Sequence, residues 1–82
     1  MSRRENLIQP IAIANHLYEL RKARHLTQSE MAERMGISTR AYSDWETAHA
    51  LPSYERLARL ARFFGVTTDD ILCLETGDVS FL

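Results

Sequence analysis

Thr27 to Pro52, TQSEMAERMGISTRAYSDWETAHALP, reads as two short helices joined by a tight turn, with the second helix presented outward. The first opens at Thr27, whose hydroxyl can accept from the free N–H groups of the first turn while Glu30, three residues on, reaches back in a T-x-x-E capping box. Met31, Ala32 and Met35 form its apolar face. Gly36 sits where the chain must leave the helix through a left-handed conformation, which a residue without Cβ adopts at least cost. Ser38 is the N-cap of the next helix, Ile37 before it can staple onto the first turn, and Ala41, Tyr42 and Trp45 recur on one face. The opposite face, Thr39, Arg40, Ser43, Asp44 and Thr47, is polar with no packing reason to be so.

Ala32, four residues before Gly36, supplies a small side chain where two helices cross closely. These spacings make a helix-turn-helix. Leu26-Thr27-Gln28, Ala32, Gly36-Ile37-Ser38, Tyr42, Trp45-Glu46 and Pro52-Ser53 together resemble the Cro and phage-repressor type (xenobiotic-response-element) family of transcription regulators, over residues 11 to 74. The resemblance implies an all-α, five-helix domain of the phage-repressor type, whose second motif helix lies in the DNA major groove. A bare helical hairpin in a small bundle would also need a glycine and caps, but not so many agreeing positions.

Composition sets the bounds. With 82 residues, 45% apolar and 26% charged, the chain has material for one small core and one domain. No apolar run approaches the ~20 residues of a membrane span, and the start lacks the apolar segment of a signal peptide, so a cytoplasmic location is expected. The one cysteine, Cys73, cannot form an internal disulfide, and with three scattered histidines it makes no metal-ligand spacing. There is no Gly-rich phosphate loop and no nucleophile with a nearby base, so neither an enzyme nor a cofactor is expected. Cys73 reads as a small, partly buried side chain.

The net charge of −1 is low for a protein that replaces phosphate counterions. Its distribution is uneven. Residues 1–41 hold seven Lys/Arg against four Asp/Glu, a balance of +3, and residues 42–82 hold three against seven, a balance of −4. This describes a polarised molecule with its basic half toward a polyanion, or else a solvated surface of mixed charge.

Residues 1–10 read as a flexible arm carrying Arg3 and Arg4; it can lie along DNA, as in some members of the resembling family, or be tethered through Leu7 and Ile8. From Ile11 to about Arg24, Ile13, Ala14, Leu17 and Leu20 keep helical spacing. In the resembling family an arginine matching Arg21 pairs with a glutamate matching Glu46, tying the first helix to the recognition helix. The family also has glycine at the position of Ala48 with basic residues around it, and this chain departs from that: only His49 can supply a positive charge there, and an imidazole is mostly neutral at pH 7. Asp44 stands where many relatives carry a basic or amide side chain.

Ser53 caps a fourth helix, with Leu57, Leu60, Ala61 and Phe64 inward, Arg56, Arg59 and Arg62 outward, and Gly65 at its end. Thr67 and Asp70 start a fifth, from Thr68 to about Leu74. Residues 75–82 form a tail ending in Val79, Phe81 and Leu82.

The functional expectation is a sequence-specific DNA-binding transcription regulator, a repressor acting as a homodimer on a palindromic double-stranded operator. Thr39, Arg40, Ser43 and Asp44 are the base-contact candidates, and Gln28, Ser38, Thr47 and His49 the phosphate contacts. Ile71, Leu72 and Leu74, with Val79, Phe81 and Leu82, are the candidate dimer contact. An antitoxin or accessory protein, with a protein partner as its main target, is the alternative.

Overall fold

A computed structural model describes residues 9–73. Those residues form five helices and no strand: α1 (Pro10–Ala23), α2 (Gln28–Met35), α3 (Thr39–Glu46), α4 (Tyr54–Phe64) and α5 (Thr68–Leu72). The expected arm, apart from Gln9 and Pro10, and the expected tail with Val79, Phe81 and Leu82 lie outside the described residues, as does Leu74 at the expected end of the fifth helix. Gln9 is the N-cap of α1 and Pro10 its first residue, so the helix starts one position earlier than expected. Proline suits that position because its φ is already helical and the missing N–H would have had no partner within the helix.

Capping chemistry defines the remaining starts. Thr27 Oγ1 accepts from Glu30 N at 3.0 Å while Thr27 N donates to Glu30 Oε1 at 2.8 Å, the reciprocal box expected. Thr67 and Asp70 repeat it at α5, with 3.0 and 3.2 Å for the corresponding bonds. Ser38 and Ser53 cap α3 and α4 through Ala41 N and Arg56 N.

Helices α2 and α4 end alike. Gly36 and Gly65 have φ of +72° and +71°, and the residue after each donates back into the helix, Ile37 N to Ala32 O and Val66 N to Ala61 O, both at 3.0 Å. The end of α5 differs from expectation. It stops at Leu72, because Cys73 takes a left-handed φ of +58° and its N–H turns back to Asp69 O and Asp70 O.

The core draws on every helix: Ile13 and Leu17 from α1, Met31, Ala32 and Met35 from α2, Tyr42 and Trp45 from α3, Leu57, Leu60, Ala61 and Phe64 from α4, and Ile71 from α5. Side chains as fully enclosed as Leu17, Met31 and Leu60 each stabilise the fold by roughly 1.5–3 kcal/mol. Ile71 corrects an expectation. It is fully buried, because the short α5 spends its inward position on the core, so its side chain is not on a surface open to a second subunit. Leu72 beside it is partly buried.

Arg24, just past α1, fixes the far side of the bundle. Its guanidinium donates to Phe64 O at 3.1 Å and Phe63 O at 3.5 Å and stacks on both rings, supplying donors to carbonyls that the end of α4 leaves open.

Candidate nucleic-acid interface

The outward helix is seated by one polar cluster. Arg21 and Glu46 meet fork to fork, with Arg21 Nε donating to Glu46 Oε2 at 2.7 Å and Arg21 Nη2 to Oε1 at 3.0 Å. Both side chains are almost enclosed, at 9% and 3% exposure. Arg21 also donates to Leu26 O at 2.7 Å, which ties the end of α1 to the start of α2. Two donors not foreseen complete the set: Gln28 Nε2 reaches Glu46 Oε1 at 2.9 Å, and the Tyr42 hydroxyl donates to Oε2. One carboxylate therefore joins α1, α2 and α3.

The electrostatics follow from that crowding. Burial alone would raise the Glu46 carboxyl, but the hydrogen bonds from Arg21, Tyr42 and Gln28 outweigh it and hold it below the usual glutamate range. Tyr42 moves the other way: burial, then its bond to Glu46, pushes the phenol well above its ordinary value. No buried side-chain nitrogen or oxygen of the described residues lacks a partner, so the cluster can fix the angle of α3 without leaving a polar group stranded.

With its inner face committed, α3 turns the other side outward. Thr39 and Arg40, in its first turn, are exposed, and Ser43 and Asp44 are half-exposed on the next. The four base-contact candidates thus share a surface rather than the core. Among the described residues no acceptor holds the Arg40 guanidinium, whereas Arg21 and Arg24 are both engaged. Ser38 Oγ accepts the Ala41 N–H and keeps its own hydrogen for another partner.

The phosphate candidates divide. Gln28 has one of its two amide hydrogens taken by Glu46, so only the other is left for a phosphate. Thr47 and His49 are brought together, with Thr47 Oγ1 2.7 Å from His49 Nδ1 and 3.0 Å from Ser43 O. Between them Ala48 has φ +66°, a left-handed conformation at the position where the resembling family carries glycine. The amides of His49 and Ala50 both bond Asp44 O, at 2.9 and 3.2 Å, which closes the loop onto the end of α3.

Chemistry of another kind has little to work with. Among the described residues no group of three or more His, Cys, Asp or Glu could hold a metal, and no helix is long and apolar enough to cross a membrane. Cys73 is half-buried with Sγ 3.7 Å from Ala12 O, and burial, then the charge of Asp70, raises its thiol, which leaves little reactive thiolate.

Comparison with known proteins agrees with this geometry. A family described as helix-turn-helix matches residues 17–71. The chain is 39% identical over 56 residues to the HTH-type transcriptional activator BcrR of Enterococcus faecalis, covering 68% of this chain and 28% of that protein. It is 34% identical over 59 residues to the cryptic phage CTXphi transcriptional repressor RstR of Vibrio cholerae, covering 72% of this chain and 53% of that one. Among solved structures, a transcriptional regulator from Listeria innocua superposes with a TM-score of 0.74 at 27% identity, over 77% of this chain and 59% of that one. The chain thus spans between about a quarter and a little over half of the length of these relatives.

Proposed function

We propose, since the chain belongs to the helix-turn-helix family of DNA-binding transcription regulators, that two copies act together as a repressor on one palindromic operator. Members of this family are regulators and not enzymes. Each α3 would enter a major groove, with Arg40 donating its two-pronged fork to a guanine and Thr39, Ser43 and Asp44 reading neighbouring positions. Asp44 repels phosphate but can accept from the N4 amine of cytosine, so its value lies in choice of sequence. Ser38, His49 and the free amide hydrogen of Gln28 would meet the backbone on either side, while Thr47, whose hydroxyl is turned to Ser43 O, would position His49 rather than touch a phosphate itself.

The observation that carries this reading is Arg40, exposed in the first turn of a capped helix whose other face is anchored by Glu46, and held by no acceptor among the described residues. Relatives bear both signs of regulation in their names, activator and repressor. Repression is the simpler mechanism, because occupying the operator suffices. Two copies follow from physical need: one helix spans only a few base pairs, and the outward face of α3 offers little positive charge beyond Arg40. Leu72 remains the dimer candidate among the described residues; Ile71 is withdrawn because it belongs to the core.

Selection of bound duplexes from a random DNA pool tests the reading. Two inverted half-sites, centred about 34 Å or one helical turn apart, are expected. A bound pool without a consensus would overturn sequence-specific recognition, and a single unrepeated half-site would overturn the dimer.

A further inference from the structure

A hydroxyl has one hydrogen to give, and at the trailing end of α3 that hydrogen already has takers. Thr47 Oγ1 lies 3.0 Å from Ser43 O and 3.4 Å from Asp44 O, and a carbonyl oxygen can only accept. The same Oγ1 lies 2.7 Å from His49 Nδ1. If its hydrogen is turned to the helix carbonyls, Thr47 can meet His49 only as an acceptor, and the ring then carries its hydrogen at Nδ1. The consequence appears at the other ring nitrogen. A neutral imidazole of this tautomer presents a bare lone pair at Nε2, and a phosphate oxygen presents lone pairs too, so the two repel. Contact needs a second hydrogen, at Nε2.

We propose that His49 engages the DNA backbone as an imidazolium, with Thr47 as the positioning residue that disfavours the neutral donor tautomer, so that binding DNA takes up a proton from solvent. The inference rests on the reading of α3 as the groove helix, which brings this loop to the phosphates. The His49 amide is tied to Asp44 O at 2.9 Å, so the imidazole stays with the last turn of α3. The charged groups of that turn are Asp44, half-exposed, and Glu46, enclosed by Arg21, Gln28 and Tyr42; those opening the next helix are Glu55 and Arg56, both exposed. Of these residue types only histidine ordinarily changes charge between pH 5 and 8. His16 and His25 are the chain's other histidines and serve as controls.

The test measures Kd from pH 6 to 8.5 on two duplexes of equal length, the sequence recovered from the random pool and one of mixed sequence, with calorimetry in buffers of differing ionisation enthalpy to count protons. Affinity for both duplexes is expected to fall as pH rises, by up to about tenfold per pH unit for each histidine engaged, with proton uptake on binding. His49→Gln should flatten the profile, while His16→Gln and His25→Gln should keep it. Thr47→Val removes the acceptor, lets the ring carry its hydrogen at Nε2, and should also flatten it. A wild-type affinity independent of pH, or a slope that survives His49→Gln, would overturn the inference; a slope undiminished in Thr47→Val would overturn the role of Thr47. A slope on both duplexes with no consensus in the pool would support proton uptake and strike only the base-reading proposal.

Discussion

At its leading end α3 is held by atoms from its own neighbourhood, and at its trailing end by side chains from elsewhere in the chain. The lead-in needs only Gly36 at φ +72°, the return bond from Ile37 N to Ala32 O, and the Ser38 cap on Ala41 N. The trailing end hangs on Glu46, which receives Arg21 from 25 positions away and Gln28 from 18. The conformational cost is also unequal. Both flanking turns use a left-handed residue, but one is glycine and the other is Ala48, whose Cβ makes that conformation about 1–2 kcal/mol less favourable. Local chemistry thus decides where α3 begins, and long-range pairing decides at what angle it lies.

The largest effect should come from Glu46→Ala, which strands the enclosed Arg21 charge and should cost about 3–5 kcal/mol in urea unfolding. The double change with Arg21→Ala should cost less than the sum of the two single changes; additive losses would mean that the pair does not act as a unit. Acid should attack the same end. The folded Glu46 carboxyl lies below its unfolded value of about 4.3, so between the two values the unfolded chain binds more protons. The stability it supplies is complete above that value and is lost as pH falls through the window. Urea midpoints from pH 6 to 3 should show this loss, and Glu46→Gln should lack that component.

At the leading end, Arg40→Ala should weaken binding to the selected operator by about 1–3 kcal/mol and relax preference at one base pair. Equal loss on every sequence would make Arg40 a backbone contact. Gly36→Ala should cost about 1–2 kcal/mol, and the cost is conformational, since no atom lies within 4 Å of the added Cβ. The smallest effect carries the opposite sign. Ala48→Gly should stabilise by up to about 1 kcal/mol, because relief of the left-handed strain is partly offset by the freer unfolded chain. A thermal melt showing Ala48→Gly as damaging as Gly36→Ala would erase the contrast between the two turns.

The same division governs what could be read in the sequence. Boundaries set by neighbours were legible: both T-x-x-acid boxes, both serine caps, and the exits at Gly36 and Gly65 each need only a few consecutive residues. So were the inward stripes, since period 3.6 is a local property. The pairing of Arg21 with Glu46 came from family resemblance, because no spacing rule joins residues 25 apart. Gln28 on Glu46, and Arg24 on the carbonyls of Phe63 and Phe64, depend on how helices cross, and no local pattern announces them. The end of α5 was missed for a related reason: Cys73 adopts a glycine-like φ without being glycine, so the usual stop signal is absent. Ile71 was misplaced because a helix of five residues is too short to show a periodic face.

Trp45 is the chain's one tryptophan, 6% exposed, edge-on to Tyr42 at a centroid distance of 5.7 Å and next in sequence to Glu46. The molecule therefore carries a built-in optical gauge on the helix that matters most. Seated on the bundle, the indole is dry and emits toward the blue; lifted off, it meets water and its emission moves to the red. Light absorbed by Tyr42 and re-emitted by Trp45 reports their separation as well. A loosening of α3 that leaves every helix intact would be nearly silent in circular dichroism and plain in the colour of this single ring.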